Sequence, residues 1–355
     1  MDIQKIIQTN ADNFIKEIEQ NNGKAKPGHN GPYHDKETPV RNSGHIAILL
    51  LKAYEKTQEP KYKIWAEKLL EYLMSKEARP YNYTFHHRGE LETTKGKDKC
   101  NGVIGQAWSI EALMKGYEII GNEKYQELAK KIYKLHKFNP TIGLWKRCSI
   151  EGKTMREDLT LNHQIWFASI GTMIKDEKIE QEIKQFLNKL DKNLETHKNG
   201  LIKHMARSKY IRKFYMLKNK LMKTKIDEKY LYNKEASYHA FNLYALARLQ
   251  NKHPEHEFFK SEKYKKITEY AISEEHITIA SENKYGFSYN PSGIELAYFL
   301  KIQKEQGLII ANELIEKAIE LQLEKNMNKE TKMLSENTDD PETLKARIYE
   351  LCEMI

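Results

Sequence analysis

Helical stretches that are apolar on every face alternate along this chain with stretches that are apolar on one face only, and the alternation recurs about every 60 residues. A helix without a polar face must be covered by protein all round. The first unit carries Ile46, Leu49, Leu50, Ala53 and Tyr54 into such a helix, turns at Thr57-Gln58-Glu59-Pro60 and returns over 62–74 with alternating Lys and Glu. The second opens at Gly105-Gln106-Ala107-Trp108, runs to Tyr117, turns at Gly121-Asn122 and returns over 123–136. Three more follow, at 158–174 with 178–190, at 235–248 with 261–272, and at 291–302 with 309–323. A last buried helix is expected over 341–353 behind the Asp339-Asp340 start signal, and 2–20 reads as one more amphipathic helix. Placing that N-terminal helix in an outer layer, beside the last buried one, balances six inner helices against six outer ones. The expected fold is therefore all-α, an (α/α)6 toroid forming a single domain over residues 1–355, because closing the ring removes the need for the capping repeats of an open array.

Composition narrows the function classes. With 39% hydrophobic and 31% charged residues, and only 17 Gly and 9 Pro in 355, neither a disordered nor a collagen-like chain is compatible. No apolar run is long enough to span a membrane, and Met1-Asp2-Ile3-Gln4-Lys5 begins an amphipathic pattern instead of a leader, so a cytoplasmic protein is expected. Cys100, Cys148 and Cys352 are odd in number and far apart, which suits a reducing compartment and no zinc ribbon. His86 and His87 are adjacent, so their side chains diverge, and no helical His-x3-His pair occurs; no metal is expected. Glycine-rich nucleotide loops and a Gly-x-Ser-x-Gly elbow are missing too, so no cofactor is expected. The net charge of +9 fits either lysines spread over solvated helical faces or an anionic partner, such as an acidic glycan or a lipid-linked one at a membrane surface; nucleic acid is not expected. The stretch from Gln164 to His239 is longer than the other repeat intervals. It holds a basic amphipathic insertion at about 205–233, with Tyr210, Phe214, Tyr215 and Met216 among its lysines and arginines, suited to a lid, a lipid headgroup contact or a surface helix.

Long connections precede the inner helices, and they concentrate His, Asn, Gln, Asp, Trp and Tyr on one face of the ring. A sugar offers C–H faces for stacking and hydroxyls for paired hydrogen bonds. Trp108, Trp145, Trp166, Tyr238 and Tyr289 are candidate platforms, although rings at helical spacing equally suit the core. Asp158 stands one turn before Asn162 in Asp158-Leu159-Thr160-Leu161-Asn162-His163-Gln164-Ile165-Trp166, so it reads either as a helix cap or as an acid whose pKa a dry cavity would raise. His163 and His239 occupy matching places on two inner helices, beside Gln106 and His45, and could shuttle protons or be structural. Hydrolysis of a glycoside needs a second carboxyl group, for which Asp35, Asp98, Glu235, Glu295 and Asp340 are the candidates. His34, Asn42, His87, Gln164 and Asn242 complete the polar set, and Arg41, Arg88 and Arg147 offer planar forks for a substrate carboxylate.

This hairpin count and polar face resemble the six-hairpin toroid glycosidases, which include unsaturated glucuronyl and rhamnogalacturonyl hydrolases, and the related N-acylglucosamine 2-epimerases. Asn30-Gly31-Pro32-Tyr33-His34-Asp35, Lys76-Glu77-Ala78-Arg79-Pro80, Cys100-Asn101-Gly102-Val103-Ile104-Gly105-Gln106-Ala107-Trp108 and Asn162-His163-Gln164-Ile165-Trp166-Phe167-Ala168 are more closely similar to the AglQ-like proteins of archaeal N-glycosylation gene clusters. The resemblance implies that Asp158, followed four positions later by Asn162, protonates substrate as in the glucuronyl hydrolases. The chain departs from those enzymes in having Arg41 and Asn42, and no acid, where their second aspartate falls. Three readings follow. The first is a glycoside hydrolase acting on a uronic-acid-containing or otherwise acidic glycan, with Asp158 as acid/base. The second is a sugar epimerase using His163 and His239, and the third is a non-catalytic glycan-binding or assembly protein.

Overall fold

The computed structural model describes residues 2–89, 98–206 and 227–355. Helix α1 (Ile3–Gln20) is followed by the hairpins α2 (Val40–Thr57) with α3 (Pro60–Met74) and α4 (Gly102–Ile120) with α5 (Glu123–Leu135). A short sheet, β1 (Phe138–Asn139), β2 (Leu144–Cys148) and β3 (Thr154–Glu157), leads to α6 (Leu161–Gly171) and α7 (Glu177–Asn193). The remainder is α8 (Glu228–Ser237), α9 (His239–Lys252), α10 (Glu262–Ala271), α11 (Glu274–Glu282), α12 (Ser292–Glu305), α13 (Asn312–Asn326) and α14 (Pro341–Ala346), which continues as a 3-10 turn over Arg347–Met354. Most of the expected insertion at about 205–233, including Tyr210 to Met222, lies outside the described residues; its described end is the start of α8.

The ring closes as burial demands. Helices α2, α4, α6, α9 and α12 pack each on the next, and the 3-10 run after α14 packs on both α12 and α2. In α4 every residue from Gly102 to Met114 is buried, whereas α5 buries only Tyr125, Ala129, Ile132 and Tyr133, one stripe of a two-faced helix. Helix α1 packs against α2 and the 3-10 run, taking its place in the outer layer. The chain is thus an (α/α)6 toroid. Among the described residues no helix is long and apolar enough to cross a membrane.

Four local features differ from the sequence expectation. The connection from α5 to α6 is an antiparallel sheet in the order β1-β2-β3 and not a loop. Helix α6 begins at Leu161 and not at Asp158, because the Asp158 N–H donates to the Trp145 carbonyl and Thr160 bridges Met205, which holds 158–160 extended. The fourth inner helix is broken at Tyr238 into α8 and α9. The last inner element tightens to 3-10 geometry after Ala346, which aligns residues three apart and lets Arg347 Nε donate to Glu350 Oε1 at 2.8 Å.

Two histidines, His136 and His276, are packed into this scaffold without charge. Burial, against one hydrogen bond accepted by the Lys146 carbonyl and the more distant acids Asp98 and Asp158, pulls His136 down to about 4. Burial, against the Ala271 carbonyl, does the same to His276. The unfolded chain takes up these protons near pH 6.5 and the folded chain does not, so their stabilising contribution is complete above pH 6.5 and is lost as pH falls from there toward 4. Each group adds up to about 1.4 kcal/mol per pH unit to that loss. Denaturant titrations of wild type and His276→Gln between pH 6.5 and 5 should show a shallower decline in the variant; parallel declines would mean that the ring is charged in the native state.

Candidate functional site

The first turn of α4 and the segment entering α6 meet at one carboxylate. Asp158 Oδ2 accepts the Val103 N–H at 3.1 Å and lies 2.8 Å from His163 Nδ1, while Oδ1 accepts the Thr160 N–H at 3.1 Å. A helix N-terminus presents free amides and a positive dipole end, so it favours an anion at this place. Burial alone would raise the Asp158 carboxyl, but pairing with His163 and the two N–H donors outweighs it and holds the group at about 2. The expectation of a raised, proton-donating Asp158 is therefore reversed, and the helix it caps is α4, not its own helix α6. Asp158 is an ionised carboxylate that orients His163 through Nδ1 and leaves Nε2 for other work.

Gly102 makes this approach possible. Its φ is +61°, and a Cβ there would stand 2.2 Å from Asp158 Oδ2 and 2.7 Å from His163 Nδ1. Gly102→Ala should lose about 1–2 kcal/mol from the left-handed backbone alone, and should push Asp158 off His163. Unfolding of this variant at the wild-type denaturant concentration would show that the helix start is not pinned in this way.

His163 is the one residue of α6 that is not buried, and it opens into a cavity of about 260 Å³ at the long-loop end of the ring. Asp35, Arg41, Arg88, Trp108, Asn162, His163, Tyr238 and Tyr289, all singled out in the sequence, line it together. Asn30 organises one wall: its Oδ1 accepts from Tyr289 Oη at 2.6 Å and Arg41 Nη1 at 3.1 Å, and its Nδ2 donates to Asp35 at 2.9 Å, which also meets Arg88 Nε at 2.8 Å. The Arg41 guanidinium lies 4.2 Å from the centre of the Trp108 ring, and its Nε and Nη2 have no hydrogen-bond partner among the described residues. Arg347 forms the floor, its guanidinium tied to Asn290, Glu295 and Glu350. Burial pushes both glutamates up, against the pull of Arg347.

Several lining residues are not among the candidates the sequence offers. His204 borders the cavity beside His163, and burial, together with the charge of Lys234, pulls it to about 3, so it is a neutral imidazole. Tyr33, whose hydroxyl meets that of Tyr238 at 2.9 Å, Lys234, Phe241 and Arg347 were also not singled out. An arginine inside an otherwise apolar last helix was a usable signal. His204, at the edge of the expected insertion, gave none.

Other candidates do not line the cavity. Gln106 and Gln164 hold the connection ahead of their own helix: Gln106 takes the Phe85 N–H and gives to the Phe85 and Cys100 carbonyls, and Gln164 repeats this with Trp145 and the Asp158 carbonyl. His239, at the matching position of α9, accepts the Ile202 N–H and packs on Tyr270 and His276, away from His163. Trp145 packs among Tyr133, Phe138, Phe167 and Phe186, and Trp166 stacks between Phe241 and Tyr244, so both fill the core. His45 is stacked on Tyr349, and His87 lies edge-on to Trp108 with burial pushing it to about 3. Asn42 donates to the Lys26 and Glu342 carbonyls, and Asn242 to that of Tyr238. Glu235 meets His197 Nε2 at 2.7 Å and accepts the His204 N–H, supporting the wall from behind. His34 is exposed against His29, and Arg147 lies 3.8 Å from Asp98 outside the cavity. Of the remaining acids, Asp98 accepts the Cys100 and Gly102 N–H groups, and Asp340 accepts those of His29, Gly31 and Thr343. Among the described residues no group of three or more His, Cys, Asp or Glu is placed to hold a metal ion.

No family model matches the chain. Archaeal glycosylation protein Q of Haloferax volcanii is 35% identical to it over 355 residues, covering 94% of this chain and 92% of that protein. Cellobiose 2-epimerase of Bacillus thermoamylovorans superposes with a TM-score of 0.62 at 12% identity, over 97% of this chain and 99% of that one. An alpha-1,6-mannanase of Salegentibacter in complex with alpha-1,6-mannotetrose superposes at 0.59 with 11% identity, over 99% and 98%. The last two likenesses are of fold.

Proposed function

From the premise that this chain belongs to the family of archaeal glycosylation protein Q, we propose that it is a carbohydrate-active enzyme of glycan assembly. It moves a proton at a sugar carbon next to a carbonyl, as an epimerase or isomerase does. The observation that carries this reading is the ionised Asp158 hydrogen-bonded to His163 at the cavity wall, with the neutral His204 beside it. His163 Nε2 takes the proton, and the Asp158 carboxylate stabilises the imidazolium that forms. A neutral imidazole is a suitable hydrogen-bond donor to the enolate oxygen that develops, which gives His204 its role. Trp108, Tyr238 and Tyr289 provide faces for the sugar, and Arg41, which lines the cavity beside Trp108 and is paired with the buried Glu37, contributes positive charge suited to an acidic sugar.

Hydrolysis is supported less well, because it requires a protonated carboxyl group opposite an ionised one. Asp35 is held by Arg88 and Asn30, Asp158 is held at about 2, and Glu295 and Glu350, which burial pushes up, lie behind Arg347. The epimerase reading keeps His163 from the sequence and replaces His239 with His204.

Incubation in D2O with D-mannose, N-acetyl-D-glucosamine or D-glucuronate, followed by NMR, should show deuterium entering at the carbon next to the carbonyl. His163→Ala should slow this by about a thousandfold, and Asp158→Asn by a similar order. Release of a reducing sugar from a glycoside with no deuterium at carbon would establish a hydrolase instead, and binding without either change would leave a glycan-binding protein.

A further inference from the structure

One nucleophile in the cavity has no part in that scheme. Lys234, in the last turn of α8, lines the cavity with its ammonium nitrogen 5.0 Å from the ring centres of both Tyr33 and Tyr285. The neighbouring carboxylate of Glu235 is turned away to His197 and the His204 N–H, and no described carboxylate pairs with the amine. Lys284, itself 5.4 Å from the Tyr285 ring, adds a second positive charge nearby. An amine in a desolvated aromatic pocket beside another cation is the setting that activates lysine toward carbonyl compounds.

We propose that Lys234 is an amine nucleophile that captures the carbonyl carbon of an open-chain sugar as an imine, a role that rests on the carbohydrate reading of this cavity. The nitrogen lone pair adds to the carbonyl carbon, and the oxygen takes up a proton to give a carbinolamine. The hydroxyl then leaves as water on taking a proton from the solvent in the open cavity, and the nitrogen's own proton returns to solvent. One water is released and no oxidant or reductant is needed. Protonated, the imine withdraws electrons from the adjacent carbon more strongly than the carbonyl does, which acidifies the C–H that His163 removes. Burial, countered by Glu235 and reinforced by Lys284, brings the amine down to about 8, so part of it is uncharged near neutrality.

Sodium cyanoborohydride reduces an imine to a stable secondary amine, so intact-mass and peptide mapping after brief treatment at pH 7.5 with D-glyceraldehyde or D-mannose tests this directly. Lys234 should be modified at least about tenfold faster than the surface lysines, as its larger free-amine fraction requires. Lys284→Ala should slow that modification severalfold, and Lys234→Arg should remove one adduct per chain while leaving the melting temperature unchanged. His163→Ala should abolish deuterium exchange and leave trapping intact. Exchange without preferential trapping at Lys234 would overturn this proposal and spare the proton-transfer reading; trapping without exchange would do the reverse.

Discussion

Everything in this molecule follows from helices that have no side fit for water. Residues 102–114 of α4 and nearly all of α6 are buried on every face, so each inner helix needs two inner neighbours and an outer one. A closed ring supplies them for all six. The ring axis would then be a channel, and at one level it is filled by Arg347 with Glu295 and Glu350, at another by Arg248 with Glu111. Buried charges are tolerable only when paired, and these are. What stays open is the end of the axis above Arg347, where the long connections gather.

Those connections carry backbone groups that would otherwise be buried without partners. Gln106 and Gln164 satisfy them at equivalent places in two repeats, and Asp340 performs the same service where the two ends of the chain meet, binding the His29 and Gly31 N–H groups. The cavity wall is thereby built on rigid helices although many of its residues come from loops. Asn30 illustrates this: it is a loop residue, yet it fixes Arg41, Tyr289 and Asp35 at once.

Charge in the cavity is distributed by pairing, and pairing determines chemical character. Asp35 belongs to Arg88 and Asp158 to His163, and Asp158 keeps no proton to give. The carboxyl groups that burial pushes up, Glu295 and Glu350, share Arg347 and lie out of reach behind its guanidinium. His204 stays neutral near Lys234, and Lys234 lies against the rings of Tyr33 and Tyr285 with no carboxylate paired to it among the described residues. A cavity so arranged favours imidazole and amine chemistry over carboxyl chemistry.

The toroid was legible in the sequence because periodicity of burial is a local property: a run such as 102–114 reports by itself that nothing around it is water. The long-loop face was legible for the same reason, and Asp35, Arg41, Arg88, Trp108, Asn162, His163, Tyr238 and Tyr289 were found on it. Which of the polar residues turn toward the axis was not legible, since a helix of uniform burial has no polar stripe to set its phase. Gln106, Gln164 and His239 share one helical phase and face the preceding connection, whereas His163, one position before Gln164, faces the cavity. Protonation states were beyond the sequence altogether. Asp158 is ionised because residues far apart in the chain, Val103 and His163, converge on it, and such convergence exists only once the ring has closed.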